Sequence, residues 1–169
     1  WTQLELKRYF GIDEILNAKT ADNIYDRCNE ILHSTDMSAR ALISKSNVEV
    51  VCTTDDPADN LEFHKAIAQS DFETKVFPAF RPDRLFAIEN EDYIKYIENS
   101  GISSYKDIAS WLRSRIAFFA ENGCVVSDHG FDCIPFGTLE AEKIFYKKLN
   151  GDTLTQDEIN SYKTALLAI

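Results

Sequence analysis

The sequence lacks a long hydrophobic run, has few cysteines and is poor in basic residues. A membrane-spanning helix needs about 18 consecutive apolar residues, and no stretch of this chain approaches that length. The four cysteines among 169 residues are too few for a secreted disulfide scaffold, and none has CxxC spacing. We therefore expect reduced thiols in a cytoplasmic protein. No basic, apolar leader opens the chain, and it starts at Trp1 rather than Met, as expected for a piece of a longer protein.

The shortage of basic residues argues against a nucleic-acid partner. Lysine and arginine number 18 against 28 acidic residues, which gives a formal net charge of -10. A surface of that sign repels phosphate backbones. A small anionic substrate remains possible, because one local arginine can dominate a pocket. Hydrophobic residues make up 44% of the chain, enough for a packed core, so wholesale disorder is excluded.

Several familiar catalytic motifs are also missing. The chain has no HxH, no HExxH and no Cys/His cluster, so it does not hold a zinc ion by itself. It has no GxGxxG, Walker A or GxSxG sequence either. Dinucleotide-binding, P-loop and α/β-hydrolase chemistry are therefore excluded.

The order of apolar patterns predicts a helix-rich α/β protein. Residues 1–46 are predicted to be a helical lead-in, and residues 47–169 a barrel segment of alternating strands and helices. The two parts together are expected to form one compact unit. The predicted strands are Val48–Thr53, Thr74–Phe80 and Val125–Ser127. Their near-continuous apolar character is typical of parallel strands covered on both faces. Three βα units behind a helical lead-in predict a partial (β/α)8 TIM-barrel wall of about three parallel strands with helices outside.

Polar residues follow each predicted strand. Thr53 and Asp55 end the first strand, Arg81 the second, and Asp128 and His129 the third. Ligands of parallel α/β proteins bind at the carboxyl ends of strands, where neighbouring loops converge. The three clusters together therefore predict one shared site.

Each cluster also has a purely structural explanation. The acidic pair before Pro57 could cap the next helix, and the Arg81-Pro82-Asp83 segment could be a rigid turn with a local ion pair. His129, before a glycine, could be a hydrogen-bonded turn histidine. His64 lies in a helical pattern, and we expect it far from the strand ends.

The residue types at these positions indicate a class of chemistry. An arginine fork at a strand end suits a carboxylate, which it can bind bidentately. An aspartate beside a histidine supplies a general acid or base, or a metal ligand with a partner.

Three segments of the chain are distinctive: the lead-in LELKRYFGI, the stretch from Val48 to Arg84 with its CTTDDP and RPD motifs, and GCVVSDHGFD from Gly123. They closely resemble uronate isomerases, which are barrel enzymes of the amidohydrolase superfamily. Order and spacing match over essentially the whole chain. The family implies aldose–ketose isomerisation, which interconverts D-glucuronate with D-fructuronate and D-galacturonate with D-tagaturonate. It also implies that the helical region before Val48 is an insertion early in the barrel.

The resemblance assigns roles only to residues within these motifs. Arg81 would contact the uronate, at its carboxylate or a neighbouring hydroxyl, and Asp128 would handle a proton or bind a sugar hydroxyl. His129 would be a catalytic residue that neighbours the metal or the substrate, and Asp55 and Thr53 would shape the pocket floor as substrate-binding residues.

The same resemblance implies that this chain is an internal fragment. In the family, an HxH pair before Trp1 and an Asp after Ile169 bind a divalent metal, with zinc expected, so the fragment itself would hold no cofactor and be inactive alone. The expected partner is a small-molecule uronate, with neither nucleic acid nor membrane. The open edges of a partial barrel predict self-association. Two alternatives remain: a fragment of another metal-dependent amidohydrolase-superfamily hydrolase, and a non-catalytic assembly module.

Overall fold

The computed structural model describes residues 1–34 and 37–169. Within them, nine helices and two short strands make up a helix-rich α/β chain, as predicted. The helices are α1 (Thr2–Phe10), α2 (Ala21–Leu32), α3 (Ala39–Lys45), α4 (Glu62–Ala68), α5 (Asp83–Phe86), α6 (Tyr93–Asn99), α7 (Tyr105–Glu121), α8 (Ala141–Leu149) and α9 (Gln156–Leu167). The strands are β1 (Val50–Cys52) and β2 (Lys75–Phe77). Over these described ranges, no helix combines the length and apolar character needed to cross a membrane.

Helix boundaries follow local sequence signals. Ser104 and Asp107 form a capping box at the start of α7, and Thr155 and Glu158 form another at the start of α9. Gly123, directly after the end of α7, has a φ of 87°, which a glycine adopts without the steric cost of a Cβ. These signals explain where both helices start and where α7 ends.

The chain folds as two compact units. The first comprises residues 1–51 and 70–75, and the second residues 52–69 and 76–169. The first unit has a small core in which Leu6 and Ile12 pack with Ile24 of α2. Phe10 and Cys28 lie partly buried against this core.

The second unit contains the larger core. Side chains from α5 to α9 and from the loops between them pack together, and the largest fully buried ones include Tyr93, Tyr162, Phe119 and Phe145. Burial of this aromatic surface is the main contribution that stabilises the folded state of the second unit.

β1 and β2 form a two-stranded parallel sheet. The Lys75 amide donates to the Glu49 carbonyl, and the Thr53 amide donates to the Phe77 carbonyl, each at 3.0 Å. Residue numbers rise together along both strands, which is the signature of a parallel pair.

The third predicted strand is much shorter than expected. Ser127 makes a parallel bridge to Phe80, and residues 125–126 have no regular strand structure. Val125 is 84% exposed and Val126 is 44% exposed. The expectation that these valines are covered on both faces is therefore wrong for this chain, because both are exposed in the described structure.

The helical spacing of apolar residues predicts inward-facing side chains for Ile116 of α7 and Ile169 after α9, but both are exposed. The same spacing predicts that Trp111 anchors the core. Trp111 is only partly buried and packs edge-on against Tyr96, with ring centroids 6.4 Å apart. Its neighbours Ile108 and Phe119 carry the buried stripe of α7 instead.

Candidate active site

Backbone hydrogen bonds bring the polar strand ends side by side in the second unit. The Asp55 amide donates to the Ala79 carbonyl and the Arg81 amide to the Asp55 carbonyl, both at 3.0 Å. The Asp128 amide donates to the Phe80 carbonyl at 3.2 Å. The loops that begin at Asp55, Arg81 and Asp128 are thus neighbours at one edge, as the order of parallel strands predicts.

Thr53, Asp55 and His64 form one polar cluster. The Thr53 hydroxyl donates to Asp55 Oδ2 at 2.6 Å and lies 2.7 Å from His64 Nε2. His64 Nε2 is also 3.6 Å from Asp55 Oδ1, and both side chains are largely buried. The expectation that His64 lies far from the strand ends is wrong: α4 folds back so that its histidine reaches the end of β1.

Asp55 and Asp56 do not cap the following helix. α4 begins at Glu62, and its N-cap position is Leu61 in a left-handed conformation. Asp55 Oδ2 instead accepts the Ala79 amide at 3.1 Å, while Asp56 Oδ1 accepts the Tyr96 hydroxyl at 2.9 Å. Both carboxylates therefore tie the loop after β1 to other parts of the second unit.

Arg81 and Asp128 form an ion pair across two adjacent loops. The Arg81 Nε donates to Asp128 Oδ2 at 3.0 Å, and Nη2 donates to the same oxygen. This hydrogen bond raises the pKa of the Arg81 guanidinium. Asp83 lies farther away, with its Oδ2 3.8 Å from Nε, so the local ion pair predicted for the turn is secondary.

Asp83, two residues after Arg81, makes a second connection between the same two loops. Its Oδ2 accepts the Gly130 amide at 2.9 Å, and its Oδ1 lies 3.4 Å from His129 Nδ1. A Cβ at position 130 would stand 2.9 Å from that Oδ2, so the close approach favours glycine. Sequence reasoning named Asp83 as a turn residue and missed this contact, because proximity between residues 83 and 130 has no local signal.

His129 sits in a cluster of three aromatic rings. Its ring stacks on Phe131 with centroids 5.0 Å apart and planes 4° from parallel, and it lies 5.1 Å from the Phe86 ring. His129 also lines an apolar cavity of about 390 Å³, together with Phe80, Leu112, Phe119, Val126 and Leu166.

Four buried side-chain atoms at this edge have no hydrogen-bond partner among the described residues. One, Asp56 Oδ2, lies on the loop after β1. The other three are Asp83 Oδ1, Asp128 Oδ1 and His129 Nδ1, on the segments after β2 and after Ser127. Buried polar groups are normally hydrogen-bonded, and unpaired ones concentrate at sites that bind a ligand or carry out chemistry. The loops after β2 and after Ser127 are therefore the strongest candidate for a functional site in this chain.

The donors among the described residues do not form a metal site by themselves. Zinc in proteins takes three or four side-chain ligands. In residues 1–34 and 37–169 no group of three or more His, Cys, Asp or Glu residues is arranged to hold an ion.

Comparisons with known proteins agree over the whole chain. A family model described as glucuronate isomerase matches residues 1–169. The chain is 48% identical to a uronate isomerase of Caldanaerobacter subterraneus over 97% of its own length, and 45% identical to one of Bacteroides fragilis over 100%. It covers 37% and 38%, respectively, of those proteins.

Solved structures give the same result. The uronate isomerase of Thermotoga maritima superposes with a TM-score of 0.86 at 31% sequence identity, covering 99% of this chain and 39% of that one. The glucuronate isomerase of Caulobacter crescentus superposes with a TM-score of 0.86 at 29% identity, covering 99% of this chain and 36% of the other. Together with the sequence motifs at the strand ends, these matches establish that the chain belongs to the uronate isomerase family.

Proposed function

We propose that this chain is a segment of a uronate isomerase that interconverts D-glucuronate with D-fructuronate and D-galacturonate with D-tagaturonate. The observation that carries the proposal is the meeting of Arg81, Asp128 and His129 on two adjacent loops at the carboxyl ends of parallel segments. An arginine for a carboxylate, beside groups that can move a proton, is what a sugar-acid isomerase needs.

Arg81 is the group assigned to the substrate carboxylate. The Arg81 Nε and Nη2 both donate hydrogen bonds to Asp128, and these bonds fix the orientation of the guanidinium. In the described chain, no side chain accepts a hydrogen bond from Nη1, which leaves those two hydrogens for the anionic end of a uronate. Thr53 and Asp55 are assigned to the pocket floor: the Thr53 hydroxyl donates to Asp55 Oδ2, which also accepts the Ala79 amide.

Asp128 and His129 are the groups assigned to proton handling. In aldose–ketose isomerisation, a base takes a proton from C2 and returns it to C1, while a hydroxyl proton moves from O2 to O1. Charge that develops on the enediol-like intermediate requires fixed donors nearby. The imidazole of His129 is the group assigned to accept and return the proton, and Asp128 is assigned to a sugar hydroxyl through its unpaired Oδ1.

The divalent metal of the family, with zinc as the expected ion, enters this proposal only for the full-length isomerase. Such an ion would polarise the carbonyl and hydroxyl oxygens of the sugar. Within residues 1–34 and 37–169 no three His, Cys, Asp or Glu side chains are arranged to hold it, and none of the roles above passes through a metal.

The fold and the cellular location belong to the same proposal. We assign residues 47–169 to a wall of a (β/α)8 barrel and residues 1–46 to a helical insertion before it. The parallel bridges of Phe80 to Asp55 and to Ser127 support this assignment. A cytoplasmic location is supported by the four cysteines, all of which are free thiols.

Turnover by the full-length isomerase tests the proposal. Purified full-length protein is assayed with D-glucuronate and D-galacturonate, and in parallel with a panel of amides and lactones. Ketose formation from a uronate is expected, and the isolated 169-residue chain is expected to show none. Hydrolysis of an amide or lactone without uronate turnover would instead favour a hydrolase of the wider superfamily. Ketose formation by the isolated chain would contradict its proposed inactivity.

A further inference from the structure

We propose that Asp83 is a positioning residue for His129: it holds the proton of the neutral imidazole on Nδ1 and leaves Nε2 as the nitrogen that accepts and returns a proton. The assignment of the imidazole proton concerns this chain's own geometry. Only its catalytic consequence rests on the proposed isomerase function.

The first support comes from two neighbouring polar atoms that lack hydrogen-bond partners. Asp83 Oδ1 and His129 Nδ1 are both buried, and neither has a hydrogen-bond partner in the described chain. They lie 3.4 Å apart, slightly longer than an ordinary N–H···O bond. A proton on Nδ1 lets each atom satisfy the other after a small side-chain rotation. A bare Nδ1 would place two buried acceptors in contact, which is costly.

The second support is that the carboxylate cannot turn away. Its other oxygen, Oδ2, accepts the Gly130 amide at 2.9 Å and lies 3.8 Å from Arg81 Nε. Asp83 also belongs to the first turn of α5, next to Pro82, which restricts its backbone. Oδ1 is therefore fixed in the direction of His129.

The third support is that the imidazole is itself held. Its ring stacks on Phe131 and contacts Phe86, which is 3% exposed. Rotation of the ring by half a turn would remove Nδ1 from Asp83 and place a carbon there instead. A carboxylate that fixes the tautomer and orientation of a histidine is a recurrent arrangement in acid–base catalysis.

The Asp83→Asn variant gives a sharp expectation. The Gly130 amide requires an acceptor, so the side-chain carbonyl of the asparagine takes the place of Oδ2. The amide nitrogen then occupies the Oδ1 place and presents N–H groups to His129 Nδ1. A nitrogen that accepts cannot also carry the proton, so the variant should move it to Nε2.

Nitrogen-15 NMR of the imidazole rings in the 169-residue chain measures this directly. Spectra are recorded near pH 8, above the ordinary histidine pKa of about 6.5. The chain has only three histidines, so the His129→Gln variant assigns the signal. The wild type should show a protonated Nδ1 and a bare Nε2 for His129, and Asp83→Asn should show the reverse. The exposed neighbour Asp132 supplies the matched control, since Asp132→Asn should leave the wild-type pattern unchanged.

If His129 of the wild type carries its proton on Nε2, the proposal is overturned. This result comes from the wild type alone and does not require any variant to fold. A folded Asp83→Asn variant with the wild-type pattern would also overturn the proposal. None of these outcomes depends on turnover. A full-length parent that does not isomerise uronates would refute the proposed function. A fixed Nδ1 tautomer would still support the Asp83–His129 contact in that case.

Discussion

At the scale of single residues, the second unit contains a tyrosine pair that neither motif nor spacing predicts. The Tyr93 and Tyr162 hydroxyls lie 2.5 Å apart in the interior, and burial raises the pKa of both phenols well above the ordinary value. Replacing one hydroxyl leaves the other buried without this partner. Tyr162→Phe should therefore lower the free energy of unfolding by about 1–3 kcal/mol.

The double variant separates the hydrogen bond from the packing. Tyr93→Phe/Tyr162→Phe removes both polar atoms at once, so its loss of stability should be smaller than the sum of the two single losses. Urea denaturation of the four proteins measures this difference. Additive losses would mean that the two hydroxyls do not depend on each other.

Some contacts within the candidate site could be predicted from the sequence, and others could not. The adjacent positions of Arg81, Asp128 and His129 could be predicted, because these residues follow apolar runs that become a strand or a bridge. The contacts of His64 with Thr53 and of Asp83 with His129 could not, since they depend on how loops and α4 fold back. The same limit explains Val125, whose apolar character predicts burial while its surroundings leave it exposed.

At the scale of elements, the start of α9 is sensitive to acid. Glu158 accepts from Lys147 Nζ at 2.8 Å and from the Thr155 amide at 2.8 Å, and these bonds lower the pKa of its carboxyl to about 2. In the unfolded chain the same carboxyl titrates near 4.3. Its contribution to stability is therefore complete above that value and is lost progressively as the pH falls towards about 2.

Glu158→Gln should remove this part of the acid dependence. The Tm of the variant should lie below that of the wild type at pH 7, and the fall in Tm between pH 7 and pH 3 should be smaller. Asp157→Asn is the matched control, since its carboxylate is exposed next to the cap. Equal falls in Tm for the wild type and Glu158→Gln would show that the capping box does not carry the effect.

At the scale of the whole molecule, apolar side chains remain uncovered near the strand ends. Val125, Ile116, Val126 and Ile169 are between 41% and 84% exposed, and all four line the apolar cavity. Exposed apolar patches of this kind favour association. We expect the isolated chain to self-associate as its concentration rises, and sedimentation velocity measures this.

Val125→Glu tests which surface is responsible. The substitution places a charge on the most exposed member of the patch and should shift the chain towards monomer. Leu4→Glu, a charge change at an exposed apolar residue of α1, is the control and should leave association as it was. A wild-type chain that stays monomeric at high concentration would contradict the expectation.

The central claim is that the loops after β2 and Ser127 bind and transform a uronate, and Arg81→Lys in the full-length isomerase tests it most directly. Lysine keeps the charge but loses the planar fork, so kcat/KM for D-glucuronate should fall at least ~10-fold. Arg84→Lys, three residues along at an exposed guanidinium that pairs with Asp92, should keep wild-type kinetics. Wild-type kinetics for Arg81→Lys would contradict the account.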